Sequence, residues 1–366
     1  MEFIDLKAQQ DLIKDKVQEN ISKVMEHGRY IMGPEIYELE EKLADYIGVK
    51  HCITVSSGTD ALLVSMMALG IKADDEFITT PFTFISTCET IALLGAKPVF
   101  VDIDPATYNI DSEKIEAVIT EKTKVIMPVS LYGQCADLDK INKIASINNL
   151  NVIEDAAQSF GATYKTKKSC SLSDIGCTSF FPSKPLGCYG DGGACFTNDD
   201  SLAEKIRQIR VHGQDKRYHH PIIGINGRMD TIQAAVLLAK FDIFPAEVEA
   251  RRHIGNNYTN KLTKVDIDVV VPFIEKFNTS VFAQYSIQVS DRDKVINNLN
   301  RLEIPTAVHY PVPIHAQPAF DYLINDKESF SNSDAISKKI MSLPMHPYLT
   351  DEQQQQVVMG LSESLQ

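Results

Sequence analysis

Three features that define other classes of protein are missing from this sequence of 366 residues. No two of its seven cysteines have Cys-x-x-Cys spacing, so we expect no metal centre. No apolar run approaches the roughly 20 residues that a membrane-spanning helix needs. Positive charge is scarce, because 36 Lys and Arg stand against 49 Asp and Glu and the net charge is −13. Nucleic acids and membranes are therefore not expected partners.

Compartment and size follow from equally simple observations. Met1–Lys7 shows no basic stretch followed by an apolar run, and an odd number of scattered cysteines suits a reducing environment. We therefore expect a cytoplasmic protein. The hydrophobic content of 44% is ordinary for a globular chain, and the length suits two domains.

Strands and helices are predicted to alternate after a helical first fifty residues. Apolar runs such as Phe77–Thr80 and Asn151–Glu154 predict strands, and Gly70 and Gly95 end the helices between such runs. This alternation predicts an α/β fold with a mostly parallel sheet and helices on both faces. Functional residues are then expected in loops at the carboxyl ends of the strands, where Asp102 is one candidate.

The pattern changes near residue 245. A long polar helix, Ala246–Leu262, precedes the apolar runs Val269–Val271 and Gln284–Val289. We therefore predict a large α/β domain over residues 1–245, which includes the N-terminal helical segment, and a smaller α+β domain over residues 246–366.

One lysine and one aspartate have the surroundings that pyridoxal phosphate (PLP) chemistry requires. Lys184 lies among aromatic residues and glycines in the run from Ser179 to Gly193, and Asp155 ends a buried strand. A lysine amine can form the Schiff base, and a carboxylate can pair with the protonated pyridine nitrogen. The alternative is a surface lysine and a helix-capping aspartate.

Other segments are suited to binding. Ser57-Gly58-Thr59 joins a strand to a helix start, where free N–H groups favour a phosphate, although an ordinary helix cap has the same sequence. Phe84 could stack on a planar ring or belong to the core. The basic and aromatic stretch His212–His220 and the nearby Arg228 could receive an anion; otherwise they are a solvated loop and a structural ion pair.

Six runs, taken in order, resemble the nucleotide-sugar aminotransferases of the DegT/DnrJ/EryC1/StrS family. The resemblance extends from about residue 3 to near the C-terminus. The runs are Ser57-Gly-Thr-Asp-Ala-Leu62, Thr83-Phe-Ile-Ser-Thr87, Glu154-Asp-Ala-Ala-Gln-Ser-Phe-Gly-Ala162, Ser179-Phe-Phe-Pro-Ser-Lys184, Gly190-Asp-Gly-Gly-Ala194 and Asn226-Gly-Arg-Met-Asp-Thr-Ile-Gln-Ala-Ala235.

The resemblance implies the PLP-dependent aspartate aminotransferase-type fold (fold type I), with a mostly parallel seven-stranded sheet in the large domain. It implies that Lys184 bonds to PLP and moves the proton, that Asp155 holds the pyridinium, and that Gln158 lies by the ring oxygen. It also implies that Phe84 stacks on the ring. The phosphate would be held by Ser57, Gly58, Thr59, Ser179 and, from the neighbouring subunit of a homodimer, Asn226.

Within the family, the sequence is most similar to the aminotransferases acting on UDP-2-acetamido-2-deoxy-3-oxo-D-glucuronate. The resemblance implies L-glutamate as amino donor, 2-oxoglutarate as its product and a 3-amino sugar for a cell-surface polysaccharide such as a lipopolysaccharide O-antigen. Pro185 departs from the pattern, because members commonly have asparagine after the lysine. The residues assigned to substrate binding are Arg228, His212, Lys216, Tyr218, His309 and Tyr310.

Two alternatives stay open. A 4-keto-6-deoxy nucleotide sugar could be the acceptor instead. A PLP-binding regulatory protein without turnover would share the fold, and fold alone does not decide function. Glutamate-dependent amination of a keto sugar would separate the enzyme from the regulator.

Overall fold

The computed structural model describes residues 1–323 and 329–365. The α-helices in these ranges are α1 (Leu6–His27), α2 (Pro34–Ile47), α3 (Gly58–Ala68), α4 (Ser86–Leu93), α5 (Leu138–Asn148), α6 (Asp200–Ile209), α7 (Thr231–Phe241), α8 (Phe244–Leu262), α9 (Arg292–Arg301), α10 (Ser331–Lys339) and α11 (Asp351–Leu365). Short 3₁₀ helices occupy Ser112–Lys114, Glu116–Val118, Ile314–Ala316 and Pro318–Leu323.

The strands fall into three sheets. They are β1 (His51–Val55), β2 (Glu76–Thr79), β3 (Lys97–Phe100), β4 (Thr123–Ile126), β5 (Asn151–Asp155), β6 (Thr163–Tyr164), β7 (Lys167–Lys168), β8 (Ile175–Ser179), β9 (Gly193–Thr197), β10 (Val269–Val270), β11 (Tyr285–Val289) and β12 (Ile340–Leu343).

The largest sheet has seven strands in the order β1-β9-β8-β5-β4-β2-β3. The pairs of β5 with β8 and β4 and of β2 with β4 and β3 are parallel, whereas β9 is antiparallel to both β8 and β1. Six strands therefore run in one direction and β9 runs against them. The predicted mostly parallel seven-stranded sheet is confirmed.

Both faces of this sheet are buried, as expected for parallel strands. Consecutive residues of β1 point to opposite faces. Cys52 packs in a core with Leu39 of α2 and Phe196 of β9, whereas Ile53 packs in another with Val64 of α3. The predicted helical layers on both faces are therefore present.

A separate core, apart from those on the two faces of the large sheet, surrounds the antiparallel sheet β10-β11-β12. Helix α8 joins this core to one of the large-sheet cores, since Phe244 packs in the large-sheet core and Tyr258 in the separate one. The domain boundary at residue 245 falls in the first turn of α8 and stays a prediction. The range predicted for the small domain also includes residues 324–328 and 366, which lie outside the described residues. None of the described helices is long and apolar enough to cross a membrane.

A buried ion pair fixes three elements near one edge of the large sheet. The Glu40 carboxylate accepts hydrogen bonds from Thr54 N and Oγ1, both at 2.8 Å, and from the Arg210 guanidinium. Arg210 also donates to the Thr54 carbonyl at 2.7 Å, and its side chain is only 4% exposed. The pair therefore links α2, β1 and the end of α6.

Replacing Arg210 by methionine should destabilise the protein strongly. The Glu40 carboxylate would stay buried without its counter-charge, which costs about 3–5 kcal/mol of unfolding free energy. A lower urea midpoint for Arg210→Met checks this. Lys7→Ala is the control, because the Lys7–Asp11 pair is 74% and 56% exposed and should contribute less than about 1 kcal/mol. Equal midpoints for the two variants would contradict the expectation.

Candidate active site

Lys184 lies in a tight loop between β8 and β9. Its N–H donates to the Phe181 carbonyl at 2.9 Å, and Cys188 N donates to the Phe180 carbonyl at 2.8 Å. Pro185 is buried and follows the turn without needing a hydrogen-bond donor of its own. The departure from the family pattern therefore leaves this turn closed.

Helix α7 anchors the far side of the same loop. The Gln233 side chain accepts from Tyr189 N at 2.9 Å and donates to the Tyr189 carbonyl at 3.3 Å. The buried Lys240 ammonium lies 4.5 Å from the centroid of the Tyr189 ring. Hydrogen bonds within the loop and contacts with α7 therefore fix the loop that carries Lys184.

Asp155 and Lys184 are electrostatic neighbours at the carboxyl edge of the large sheet. Asp155 is the last residue of β5 and is 5% exposed, whereas Lys184 is half-buried. Burial lowers the pKa of Lys184, and the charge of Asp155 opposes that shift. Burial raises the pKa of Asp155, against hydrogen bonds from Ala157 N and Thr87 Oγ1 and the charge of Lys184. The structure thus brings together the two residues predicted to be catalytic.

An aromatic and amide wall lies beside this pair. Gln158 accepts a hydrogen bond from Tyr132 N at 2.8 Å and donates to the Tyr310 hydroxyl at 3.0 Å. The rings of Tyr310 and Phe84 lie 6.0 Å apart between centroids, and Phe84 is 53% exposed. Burial and the negative charge of Asp155 raise the pKa of Tyr310, so its phenol is neutral. Phe84, Gln158 and Tyr310 therefore share one surface with Asp155.

The predicted phosphate residues form a cradle at the start of α3. Ser57 caps the helix by accepting from Asp60 N at 3.0 Å, and the first-turn N–H groups of Gly58 and Thr59 precede the helical ladder. A Cβ at Gly58 would lie 2.5 Å from the Ser179 Cβ. A Cβ at Gly193 would lie 2.3 Å from the Ser57 carbonyl oxygen. These close approaches bring Ser57, Gly58, Thr59 and Ser179 to one place, where the helix dipole favours an anion.

His309 completes the wall near the lysine. Burial and the positive charge of Lys184 lower the pKa of His309 to about 4, so its imidazole is neutral at neutral pH. Its Nδ1 lies 3.0 Å from the Ser342 hydroxyl, and its carbonyl accepts from the Tyr132 hydroxyl. The Phe3 ring lies 6.3 Å from the imidazole centroid.

Arg228 has unused hydrogen-bonding capacity. Its Nε is buried and has no hydrogen-bond partner within residues 1–323 and 329–365. The Gly227 carbonyl beside it accepts from Ser56 N at 2.9 Å, which places this segment next to the cradle. Asn226, one residue further back, is exposed. The segment is therefore close to the site within a single chain.

The basic stretch His212–His220 is not brought to Lys184 in the single chain. His212, Lys216 and Tyr218 are exposed, and Tyr218 is 81% exposed. The contacts of the stretch are mostly internal, such as the ion pair of His219 with Asp215. In the part of the chain that the structure describes, no hydrogen bond or ion pair joins this stretch to Lys184, Asp155 or His309. Its role in substrate binding stays a prediction.

Asp102 has structural partners that the sequence did not indicate. Its carboxylate accepts from the backbone N–H groups of Asn332 and Ser333, at 2.9 and 3.0 Å, and from the Ser333 hydroxyl at 2.6 Å. Asp102 therefore binds the start of α10. A carboxylate after a strand can serve a distant helix terminus as well as a ligand, and local sequence does not separate the two.

Sequence reasoning also missed the contacts of three residues. Thr87 donates to Asp155, Tyr132 binds Gln158 and His309 through its backbone and hydroxyl, and Phe3 packs near His309. Thr83 and Thr87 are four residues apart, but Thr83 precedes α4, so helical spacing does not explain why their hydroxyls meet.

The model of the DegT/DnrJ/EryC1/StrS aminotransferase family matches residues 11–362. The chain belongs to this family. It is 57% identical, over 95% of its length and 96% of the relative, to the UDP-2-acetamido-2-deoxy-3-oxo-D-glucuronate aminotransferase of Pseudomonas aeruginosa. It is 44% identical, over 99% of its length and 97% of the relative, to a pleiotropic regulatory protein of Geobacillus stearothermophilus.

Solved structures of aminotransferases share the fold. A DegT DnrJ EryC1 StrS aminotransferase from Brucella abortus has a TM-score of 0.96 at 42% identity, covering 100% of this chain and 99% of the other. NtdA from Bacillus subtilis, solved with bound cofactor PMP, has a TM-score of 0.90 at 30% identity, covering 96% and 82%. The aspartate aminotransferase-type fold and the enzyme class predicted from the sequence are confirmed.

Proposed function

We propose that this aminotransferase uses PLP to move the amino group of L-glutamate to UDP-2-acetamido-2-deoxy-3-oxo-D-glucuronate. The products would be 2-oxoglutarate and a 3-amino sugar nucleotide for a cell-surface polysaccharide. The observation that carries the proposal is that Lys184 and the buried Asp155 lie near enough to shift each other's pKa, beside an anion cradle at one sheet edge. The 57% identical relative named for this substrate supports the acceptor.

The residues present fit PLP. Ser57, Gly58, Thr59 and Ser179 would hold the phosphate, and the cradle has no room for a side chain at position 58. Asp155, Gln158 and Phe84 would contact the pyridine nitrogen, the ring oxygen and the ring face. Bound PLP supplies an electron sink for negative charge at the reacting carbon and carries the amino group between the two substrates.

Lys184 would bond to the cofactor and then move the proton. Burial lowers the pKa of its ammonium, which favours the neutral amine that is needed as nucleophile and base. The nearby charge of Asp155 limits that shift, so the amine can also be protonated again. One side chain can therefore accept and return a proton at the same place.

Arg228, His309 and Tyr310 are proposed to receive the substrate's carboxylate. Arg228 offers a buried Nε without a partner in the described ranges, and a guanidinium binds a carboxylate at two points. Neutral His309 can donate one hydrogen bond without adding charge. His212, Lys216 and Tyr218 are proposed to bind the diphosphate and nucleotide, from the neighbouring subunit of a homodimer.

Cytoplasmic location is part of the proposal. All seven cysteines are free and buried, which suits a reducing compartment. A regulatory function in addition to transamination is the second candidate function. The observation that favours it is the 44% identical relative named as a pleiotropic regulatory protein.

A panel of acceptors tests the proposed reaction. With PLP and L-glutamate, the purified protein should lose its visible cofactor band and then aminate the 3-oxo-glucuronate. It should not aminate a 4-keto-6-deoxy nucleotide sugar. Lys184→Ala should have no turnover, whereas Lys167→Ala, a change at an exposed lysine, should be as active as wild type. PLP binding without amination of any acceptor in the panel would contradict the proposed reaction.

Arg228→Ala should weaken the sugar half-reaction by about tenfold or more, because a charged hydrogen bond to the carboxylate is lost. The glutamate half-reaction is also expected to slow if both carboxylates use the same guanidinium in turn. Single-turnover kinetics of each half-reaction and a PLP titration measure these effects. Arg252→Ala is the control, since Arg252 pairs with Glu249 on the surface of α8. Loss of PLP binding with a normal sugar half-reaction would assign Arg228 to the cofactor.

Mixing two inactive variants tests whether Asn226 acts across subunits. A dimer of one Lys184→Ala chain and one Asn226→Asp chain contains one intact site only if the lysine and the asparagine come from different chains. Partial activity is therefore expected once subunits exchange. No recovery after proven exchange would mean that Asn226 serves the cradle of its own chain, which the adjacent Gly227–Ser56 hydrogen bond also allows.

A further inference from the structure

Both oxygens of the Asp155 carboxylate are held by donors from its own chain. Ala157 N donates to Oδ1 at 3.2 Å, and the Thr87 hydroxyl donates to Oδ2 at 2.9 Å. Thr87 lies in the first turn of α4, just after the Phe84 segment, and is 0% exposed. Each carboxylate oxygen has a second lone pair, so the carboxylate can still accept from a ligand.

Two hydrogen bonds in series connect Thr83, Thr87 and Asp155, and the number of available protons fixes which group donates in each. Thr83 Oγ1 lies 3.1 Å from Thr87 Oγ1, and Thr83 is 3% exposed. A hydroxyl has one proton to donate, and an ionised carboxylate can only accept. Thr87 therefore donates to Asp155 and accepts from Thr83, and the chain Thr83→Thr87→Asp155 is polarised toward the negative charge.

We propose that Thr87 is a positioning residue that, supported by Thr83, fixes the orientation and the charge of Asp155 toward the cofactor's pyridine nitrogen. This inference rests on the proposed function, because Asp155 acts there on bound PLP. A threonine suits the role, since its branched side chain restricts χ1 and so holds the hydroxyl in place.

The surroundings of Asp155 explain why such a donor is needed. The charge of Lys184 lowers the pKa of Asp155 and so favours its charged form. The other titratable groups around Asp155 carry no compensating positive charge: they are Glu154, Cys88, Cys177 and Tyr310. Burial favours the protonated carboxyl, so the Thr87 hydroxyl and Ala157 N–H supply a large part of the opposing stabilisation.

Helix α4 offers a matched control. Thr90 is also fully buried, but its hydroxyl donates to the Ser86 carbonyl at 2.9 Å and not to Asp155. Thr87→Val and Thr90→Val each replace a hydroxyl by a methyl in the same helix. Thr87→Ser keeps the hydroxyl and removes only the methyl group. Packing effects and hydrogen-bonding effects are therefore separable.

The test measures the PLP dissociation constant and kcat from pH 5 to 9 for wild type and these variants, with thermal unfolding of the cofactor-free proteins. Without its donor, Asp155 has a higher pKa and protonates earlier as pH falls. In Thr87→Val the acidic limb of both profiles should move to higher pH, with a loss of about tenfold or more on that limb. Thr87→Ser and Thr90→Val should keep the wild-type limb.

An unchanged acidic limb in Thr87→Val, the same shift in Thr90→Val, or a serine variant that behaves like the valine variant would each overturn the inference. If Thr87→Val does not fold, Thr83→Val leaves Thr87 intact and should shift the limb less, in the same direction; no shift there also overturns it. A wild-type protein that neither binds PLP nor transfers an amino group would instead refute the proposed function.

Discussion

The active site depends on keeping one buried carboxylate charged. Asp155 is 5% exposed, and burial alone favours its protonated form. Hydrogen bonds from Ala157 N and Thr87 Oγ1 and the positive charge of Lys184 offset this cost. Because the lysine and the aspartate each shift the other's pKa, neither group can be removed without changing the protonation of the other. The loops around the sheet edge serve to keep these groups at fixed positions.

The single reversed strand makes that arrangement possible. The chain leaves β8 at Ser179, passes through Lys184 and returns as β9 beside β1. The start of β9 therefore lies at the same edge as the carboxyl ends of the other strands, and Gly193 can pack directly on the Ser57 carbonyl. A glycine is required there by close approach, since any side chain would push the strand away from the cradle.

Sequence reasoning found the groups of the site but not their support. Strand ends and glycine punctuation located Asp155 and the cradle segment, and the family resemblance assigned Lys184, Gln158 and Phe84. The roles of Thr87 and Phe3 depend on contacts between distant parts of the chain, which periodicity and spacing do not encode. The structural partners of Asp102 were missed for the same reason, because they lie on α10, about 230 residues away. Strands β8 and β9 were predictable only through the family, since they pair outside the regular alternation.

The net charge of −13 repels an anionic substrate, but this repulsion is weak because most of the charges are far from the active site. At physiological ionic strength, interactions beyond about 8 Å are largely screened, so most surface carboxylates act weakly on a ligand at the active site. The affinity for the ligand therefore depends mainly on the buried groups that contact it directly. There the Arg228 Nε lacks a hydrogen-bond partner in the described ranges, and His309 is neutral. A carboxylate ligand would therefore find hydrogen-bond donors that can still bind it. Its affinity would depend on those few donors more than on the net charge of the protein.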